Sequence, residues 1–264
     1  MNGTANTSWR DPQTREQLYH FLAAAYLRPL TLEALRHLTD PGVLQELAAL
    51  FGEEATVALK EFSTRGHGET RENTLQQEFM DLFAVPAGRY VTPFEDVYRG
   101  ASAERPRGPL LGEHAVAVKR LYRAAGGDVG ESCKELPTHV GVELAFMSFL
   151  CAREAAAQCG DGEPSVDERH AHAPAPCAYY RALQLRFLRE HLNAWFPRLS
   201  NAIQEKASSG LYRGLAELTE VVLERDAAWL MAAPAPGVGP TPGAPAPPDG
   251  PGASVPGAGQ LRVP

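Results

Sequence analysis

The chain has 264 residues and a formal net charge of -7, and 44% of its residues are hydrophobic against 22% charged. That length and apolar share suffice for one full hydrophobic core, and the acidic balance speaks against a nucleic-acid surface, which relies on clustered Lys and Arg. The N-terminus lacks the apolar core of a signal peptide and no run approaches the roughly 18 apolar residues of a membrane span, so a cytoplasmic protein is expected.

Residues 1–11 read as a frayed arm, and residues 12–231 as one helical domain. Leu18, Phe21, Leu22, Ala25 and Tyr26 recur at helical spacing, and "LRPLT" ends that first helix. "TDPG" (Thr39 to Gly42) starts another, with proline in the first turn. "RGHGE" separates two helices around Gly66 and Gly68, after which Leu75, Phe79, Leu82 and Phe83 resume the period. Residues 84–109 form a long connection without periodicity, and such a loop inside a compact domain is often functional. Leu111, Ala115, Val118 and Tyr122 mark the next helix, closed by "AAGGDVG".

"ELPTHVGVELAFMSFLCARE", Glu135 to Glu154, follows. It is apolar on nearly every side and must be buried. Pro137 stops any preceding helix and the Thr138 hydroxyl is placed to cap the start. "GDGEPSVDERHAHAPAP" is a polar loop, Pro197 divides the region after Tyr179 or sits in the first turn of its second segment, and Leu211, Leu215, Leu218 and Val222 lead to an end near Trp229. Residues 232–264, nearly all Pro, Gly and Ala, have nothing to bury and are expected to be a disordered tail. The fold class is all-α, a single multi-helix bundle.

Chemistry is sparse. There is no GxxxxGK[ST] phosphate loop, no GxGxxG after a strand, no HExxH and no GxSxG. Cys133, Cys151, Cys159 and Cys177 show no CxxC spacing, and reduced thiols are the default in a chain this long. His170 and His172 lie between Cys159 and Cys177, without the tight ligand pairs of a structural zinc site, so no metal and no cofactor are expected. His139 and Glu143 stand one turn apart at the mouth of the buried helix. Either the carboxylate orients the imidazole for acid–base work, or the histidine holds a neighbouring loop. Tyr90, Pro93, Phe94, Val97 and Tyr98, with Glu95 and Asp96 among them, either plug the connection into the core or floor a groove with an acidic rim. Such a groove would take an apolar peptide carrying arginines.

"QQEFMDLFAVP" followed by "YVTPFEDVYRG" resembles the Glu-x-x-x-Leu-Phe and Pro-aromatic-x-x-Val-Tyr pattern of the TorD/DmsD/NarJ-type redox-enzyme maturation chaperones. "ELPTHVGVELAFMSFLCARE" resembles their Pro-Asp-His helix start, and "RFLREHLNAWFPRLSNAI" and "LYRGLAELTEVVLE" resemble their last two helices. The resemblance spans residues 13–231 and implies a TorD/DmsD-like helical bundle, not an enzyme. It implies a cytoplasmic chaperone that binds the twin-arginine signal peptide or apo catalytic subunit of a molybdopterin-dependent oxidoreductase, assists cofactor insertion and delays export. The alternatives are an adaptor for a folded, non-exported subunit of the nitrate reductase delta type, and a metal-binding helical enzyme. Carried over, the client-binding set is Phe83, Tyr90, Pro93, Phe94, Glu95, Asp96, Val97, Tyr98, Glu135, Thr138, His139 and Glu143. Thr138 stands where the motif has aspartate, so another acid, Glu135 or Asp96, is expected to supply the charge. The expected partners are the catalytic-subunit precursor and its signal peptide, with no nucleic acid, no membrane insertion, and a monomer or dimer.

Overall fold

Helix starts in this chain are written in short side chains. A computed structural model describes residues 9–64, 69–101, 107–129, 133–158, 177–232, 259–261 and 263. The Asp11 carboxylate accepts from the backbone N–H of Gln13 and Thr14, opening α1 (Pro12–Leu27) with proline at its first position. Thr31 does the same for α2 (Leu32–Leu38), and Asp40 for α3 (Pro41–Phe51). A 3₁₀ turn, Glu54–Thr56, leads into α4 (Val57–Ser63). Next come α5 (Glu69–Phe79), which runs on into a π turn at Met80–Ala84, a short α6 (Glu95–Arg99), and α7 (Glu113–Ala124). The strand β1 (Gly127–Val129) precedes α8 (Val140–Gln158). α9 (Cys177–Phe187) passes through a π turn, Leu188–Leu192, into α10 (Asn193–Lys206), and α11 (Gly210–Ala232) closes the bundle. Finally β2 (Gly259–Leu261) pairs in parallel with β1.

The expected all-helical bundle is the observed architecture, and α8 is its axis. Val140, Val142, Leu144, Phe146, Met147, Leu150 and Cys151 are all fully buried, as a helix apolar all round requires. α1 and α9 flank it, and α11 packs on α4 and α10. The ring of Phe146 sits 4.4 Å from Tyr122 of α7 and 4.8 Å from Phe187 of α9. Each such side chain contributes about 1.5–3 kcal/mol by leaving water. α1 and α8 meet at Gly141, where a Cβ would come within 2.4 Å of the Leu27 side chain. Glycine there sets how closely the two helices approach.

Four details differ from the sequence expectation. Trp9, assigned to the frayed arm, packs against Phe51 at 6.0 Å and Trp229 at 6.1 Å, so the arm is anchored before Asp11; residues 1–8 lie outside the described residues. The connection at 84–109 contains α6. Pro197 falls inside α10, five residues into it. A π turn, Leu188–Leu192, lies just before α10. The fourth concerns the tail. Residues 233–258 lie outside the described residues, but its last part is β2, and Val263 packs against the core. The polar loop carrying Cys159, His170 and His172 also lies outside the described residues.

Candidate functional site

Two segments distant in sequence are sewn together at the head of α8. The Glu95 N–H donates to the Thr138 carbonyl at 3.0 Å and the Val140 N–H to the Pro93 carbonyl at 2.9 Å, which makes Phe94 and His139 an antiparallel bridge. Their rings meet edge to face, 5.2 Å apart. His139 is the residue that caps α8: its Nδ1 accepts from the Gly141 N–H at 3.0 Å. Only an unprotonated nitrogen can accept, and burial pushes the His139 pKa down to about 3, so the ring is neutral. The Thr138 hydroxyl, expected to cap, instead donates to Asp96 Oδ2 at 3.3 Å. The acid missing from position 138 is thus brought beside it from α6.

Behind this bridge lies a buried acid cluster. Glu95 is fully buried, and its carboxylate accepts from Arg99 at 2.6 Å and faces His191 Nδ1 at 2.9 and 3.0 Å. Burial alone would raise its pKa, but the His191 and Arg99 contacts outweigh burial and hold it below the ordinary carboxylate value. Glu143, also fully buried, accepts from the Trp195 indole N–H at 2.9 Å. Burial first, then the neighbouring Glu95 charge, drive its pKa well above the ordinary carboxylate value, and its other oxygen, Oε1, is buried without a hydrogen-bond partner. His139 and Glu143 are therefore a cap and a buried acid with separate partners, not an acid–base pair.

α10 clamps the outer loop. Arg198 donates to the Tyr98 carbonyl at 2.8 Å and Lys206 to the Tyr90 carbonyl at 2.8 Å, while Arg99 also reaches the Glu190 carbonyl. The Tyr98 ring rests on Trp195 at 5.5 Å, and burial lifts its hydroxyl pKa to about 12. On the far side the chain crosses itself at Gly100 and Gly108. The Gly108 N–H binds the Val97 carbonyl at 2.9 Å, and a Cβ on Gly108 would lie 2.0 Å from the Asp96 carbonyl oxygen, so no other residue fits. Tyr122 pins the other segment by donating to the Pro137 carbonyl at 2.8 Å.

The structure brings Pro93, Phe94, Glu95, Asp96, Val97, Tyr98, Thr138, His139 and Glu143 together, with Tyr90 and Glu135 on the adjoining segments. It does not bring Phe83 to a surface. That ring is buried against Phe79, Tyr26 and Tyr212, at 5.5 to 5.8 Å, and belongs to the core. Nor is the rim acidic. Glu95, Asp96 and Glu143 are at most 1% exposed and point inward, Pro93, Thr138 and His139 are buried with them, and Glu135 alone of the expected acids is exposed. Tyr90, Phe94, Val97 and Tyr98 on this segment are half-buried, and Arg107 and Arg198 are exposed. Arg99, His191, Trp195, Arg198 and Lys206 escaped the sequence reading. His191, Trp195 and Arg198, at spacing i, i+4, i+7, share one helix stripe, and that was the available signal.

A groove of about 1060 Å³ between α1 and α8, lined by Phe21, Ala24 and Phe149 among others, contains none of these residues. Among the described residues no group of three or more His, Cys, Asp or Glu could hold a metal ion, and no helix is long and apolar enough to cross a membrane.

Comparison with known sequences decides the family: the profile of the nitrate reductase delta subunit family matches residues 44–201. The chain belongs to that family. It is similar to the selenate reductase assembly chaperone protein of Thauera selenatis, 28% identical over 153 residues, 56% of this chain and 67% of the relative. It is also similar to the perchlorate reductase assembly chaperone protein of Dechloromonas aromatica (strain RCB), 28% identical over 128 residues, 48% of this chain and 50% of the relative. The chlorate reductase assembly chaperone protein of Ideonella dechloratans is 28% identical over 150 residues, 56% of this chain and 67% of the relative. The matches thus span half to two thirds of these relatives. The resemblance to redox-enzyme maturation chaperones read from the sequence is borne out.

Proposed function

We propose that this chain is a cytoplasmic assembly chaperone for the catalytic subunit of a molybdopterin-dependent oxidoreductase, a binding protein rather than a catalyst. It holds the subunit while the cofactor is inserted and withholds it from export until it is complete. The reductases named in the relatives' descriptions act on selenate, perchlorate and chlorate, and we place the client among reductases of oxyanions. The observation that carries the reading is the half-buried strip of Tyr90, Phe94, Val97 and Tyr98 on a loop pinned from both sides. Such a strip offers apolar area at little ordering cost, because the protein has already fixed it. The buried acids beneath it set the loop's shape and do not meet the client.

The apolar stretch of a signal peptide fits this strip, with Glu135 the exposed acid for an arginine. The exposed Arg107 and Arg198 favour a second reading, in which the client's mature surface, carrying acids, is the main contact. Calorimetry with the catalytic-subunit precursor of an oxyanion reductase, its isolated leader, and the leaderless subunit separates the two. The signal-peptide reading expects the leader alone to bind. The second expects the leaderless subunit to bind as tightly as the precursor. Absence of binding to all three rejects the chaperone role.

A further inference from the structure

β1 and β2 pair over three residues, Gly127 with Gly259, Asp128 with Gln260 and Val129 with Leu261. A two-stranded pair this short is at the margin of stability in water. Its two halves come from very different sequence. β1 follows directly on α7 and leads towards the Cys133–His139 segment that carries Glu135, Thr138 and His139. β2 stands beyond 26 residues, 233–258, that contain no Leu, Ile, Met or aromatic residue and a single charge, Asp249. Leu261 is the first large apolar residue after Met231, and Val263 follows two places later. The order is thus a long spacer and then a short segment of strand-like alternation. β2 lies against α8, and the half-buried Val263 packs on the hydrophobic core.

The strand edge of β1 would otherwise present unpaired N–H and C=O groups. An extended peptide that adds itself to such an edge gains main-chain hydrogen bonds, with alternate side chains giving selectivity. A peptide carried on the same chain meets its site at a local concentration far above that of a free one. A contact too short to persist as an independent strand can therefore stay filled within one chain, while remaining exchangeable.

We propose that the edge of β1 is a strand-acceptor site for an extended peptide with apolar residues at alternate positions, occupied in this protein by its own residues Gly259–Leu261, with Val263 packed beside them, acting as a tethered ligand. The proposal does not rest on the client reading above. Its place matters for that reading, because the segment after β1 is the one that builds the head of α8.

The test uses three forms: the full chain, the chain ending at Ala258, and the full chain with Val263→Asp. Each is titrated with a synthetic peptide of residues 257–264 while the backbone amide NMR signals of Gly127, Asp128 and Val129 are followed. The chain ending at Ala258 should show saturable shifts at these amides. The full chain should need at least about tenfold more peptide, since its own segment competes. Val263→Asp should restore the response of the truncated chain. Circular dichroism of all three should coincide, showing that the bundle is intact. No shift in the truncated chain, or equal response of the truncated and full chains, overturns the proposal.

Discussion

At the C-terminal half of α8, Arg15 of α1 reaches Glu154 at 3.1 Å and Asp226 of α11 at 2.9 Å, and Gln184 of α9 completes the group. Tyr19 donates to Asp226 at 2.7 Å and Arg181 to Glu154 at 2.6 Å. At the N-terminal end of the same helix, Glu143 meets Glu95 and the Trp195 indole, with Arg99 and His191 on the far side of Glu95. Both groups are buried, yet they differ in balance. The first ties four helices with cations set against carboxylates. The second sets two carboxyls side by side, with the Glu143 pKa driven well up, and it ties the short helix α6 to α8 and α10. One end of the molecule is therefore a structural lock, and the other is the support under a surface.

Arg15→Met sharpens the contrast most. It leaves two buried carboxylates without their shared cation, and we expect a loss of about 3–5 kcal/mol in urea unfolding. Client affinity per folded molecule should not change. At the other end, Glu143→Gln should cost less than about 1 kcal/mol, because an amide reproduces a protonated acid: its carbonyl accepts from Trp195 and its NH₂ donates to Glu95. If Glu143→Gln destabilises as much as Arg15→Met, Glu143 is ionised and the contrast is wrong.

The pH dependence carries a sign. The folded His139 pKa is about 3, against an ordinary 6.5. Between these values the unfolded chain takes up a proton that the folded chain refuses. Stability from this site is full above 6.5 and falls as pH drops towards 3, by up to about 1.4 kcal/mol per unit. Glu143 works in the opposite direction: its raised pKa gives stability that is lost as pH rises above its ordinary 4.5. Replacing His139 by Asn, which can still cap, should flatten the fall in urea midpoint between pH 7 and pH 5 relative to wild type. An unchanged fall would show that His139 does not titrate as its burial demands.

The helical bundle was legible because burial leaves a period. The apolar run from Val140 to Cys151 could only be a central helix, and Asp-Pro at residues 40–41 marked the start of α3. The head of α8 was half legible. Its motifs located Phe94, Tyr98 and His139, but sequence spacing cannot show which way a side chain faces. Glu95 and Asp96 read as a rim because they neighbour aromatics, while the turn into α6 aims both inward to partners 42 to 96 residues away. The clamps from α10 were harder to read: Arg198 and Lys206 bind backbone carbonyls, and the helix stripe that Arg198 shares with His191 and Trp195 does not name those partners. β2 was missed because its three residues follow a long stretch made almost entirely of Pro, Gly and Ala.

The most direct test of the account is Phe94→Ala, titrated by calorimetry against the catalytic-subunit precursor of an oxyanion reductase that the wild-type chain binds, with thermal unfolding measured in parallel. The half-buried ring belongs to the strip proposed to meet the client, so affinity should fall about tenfold or more, roughly 1.4 kcal/mol, with the bundle's circular dichroism unchanged. Wild-type affinity in a folded Phe94→Ala variant would contradict the claim that this face grips the client.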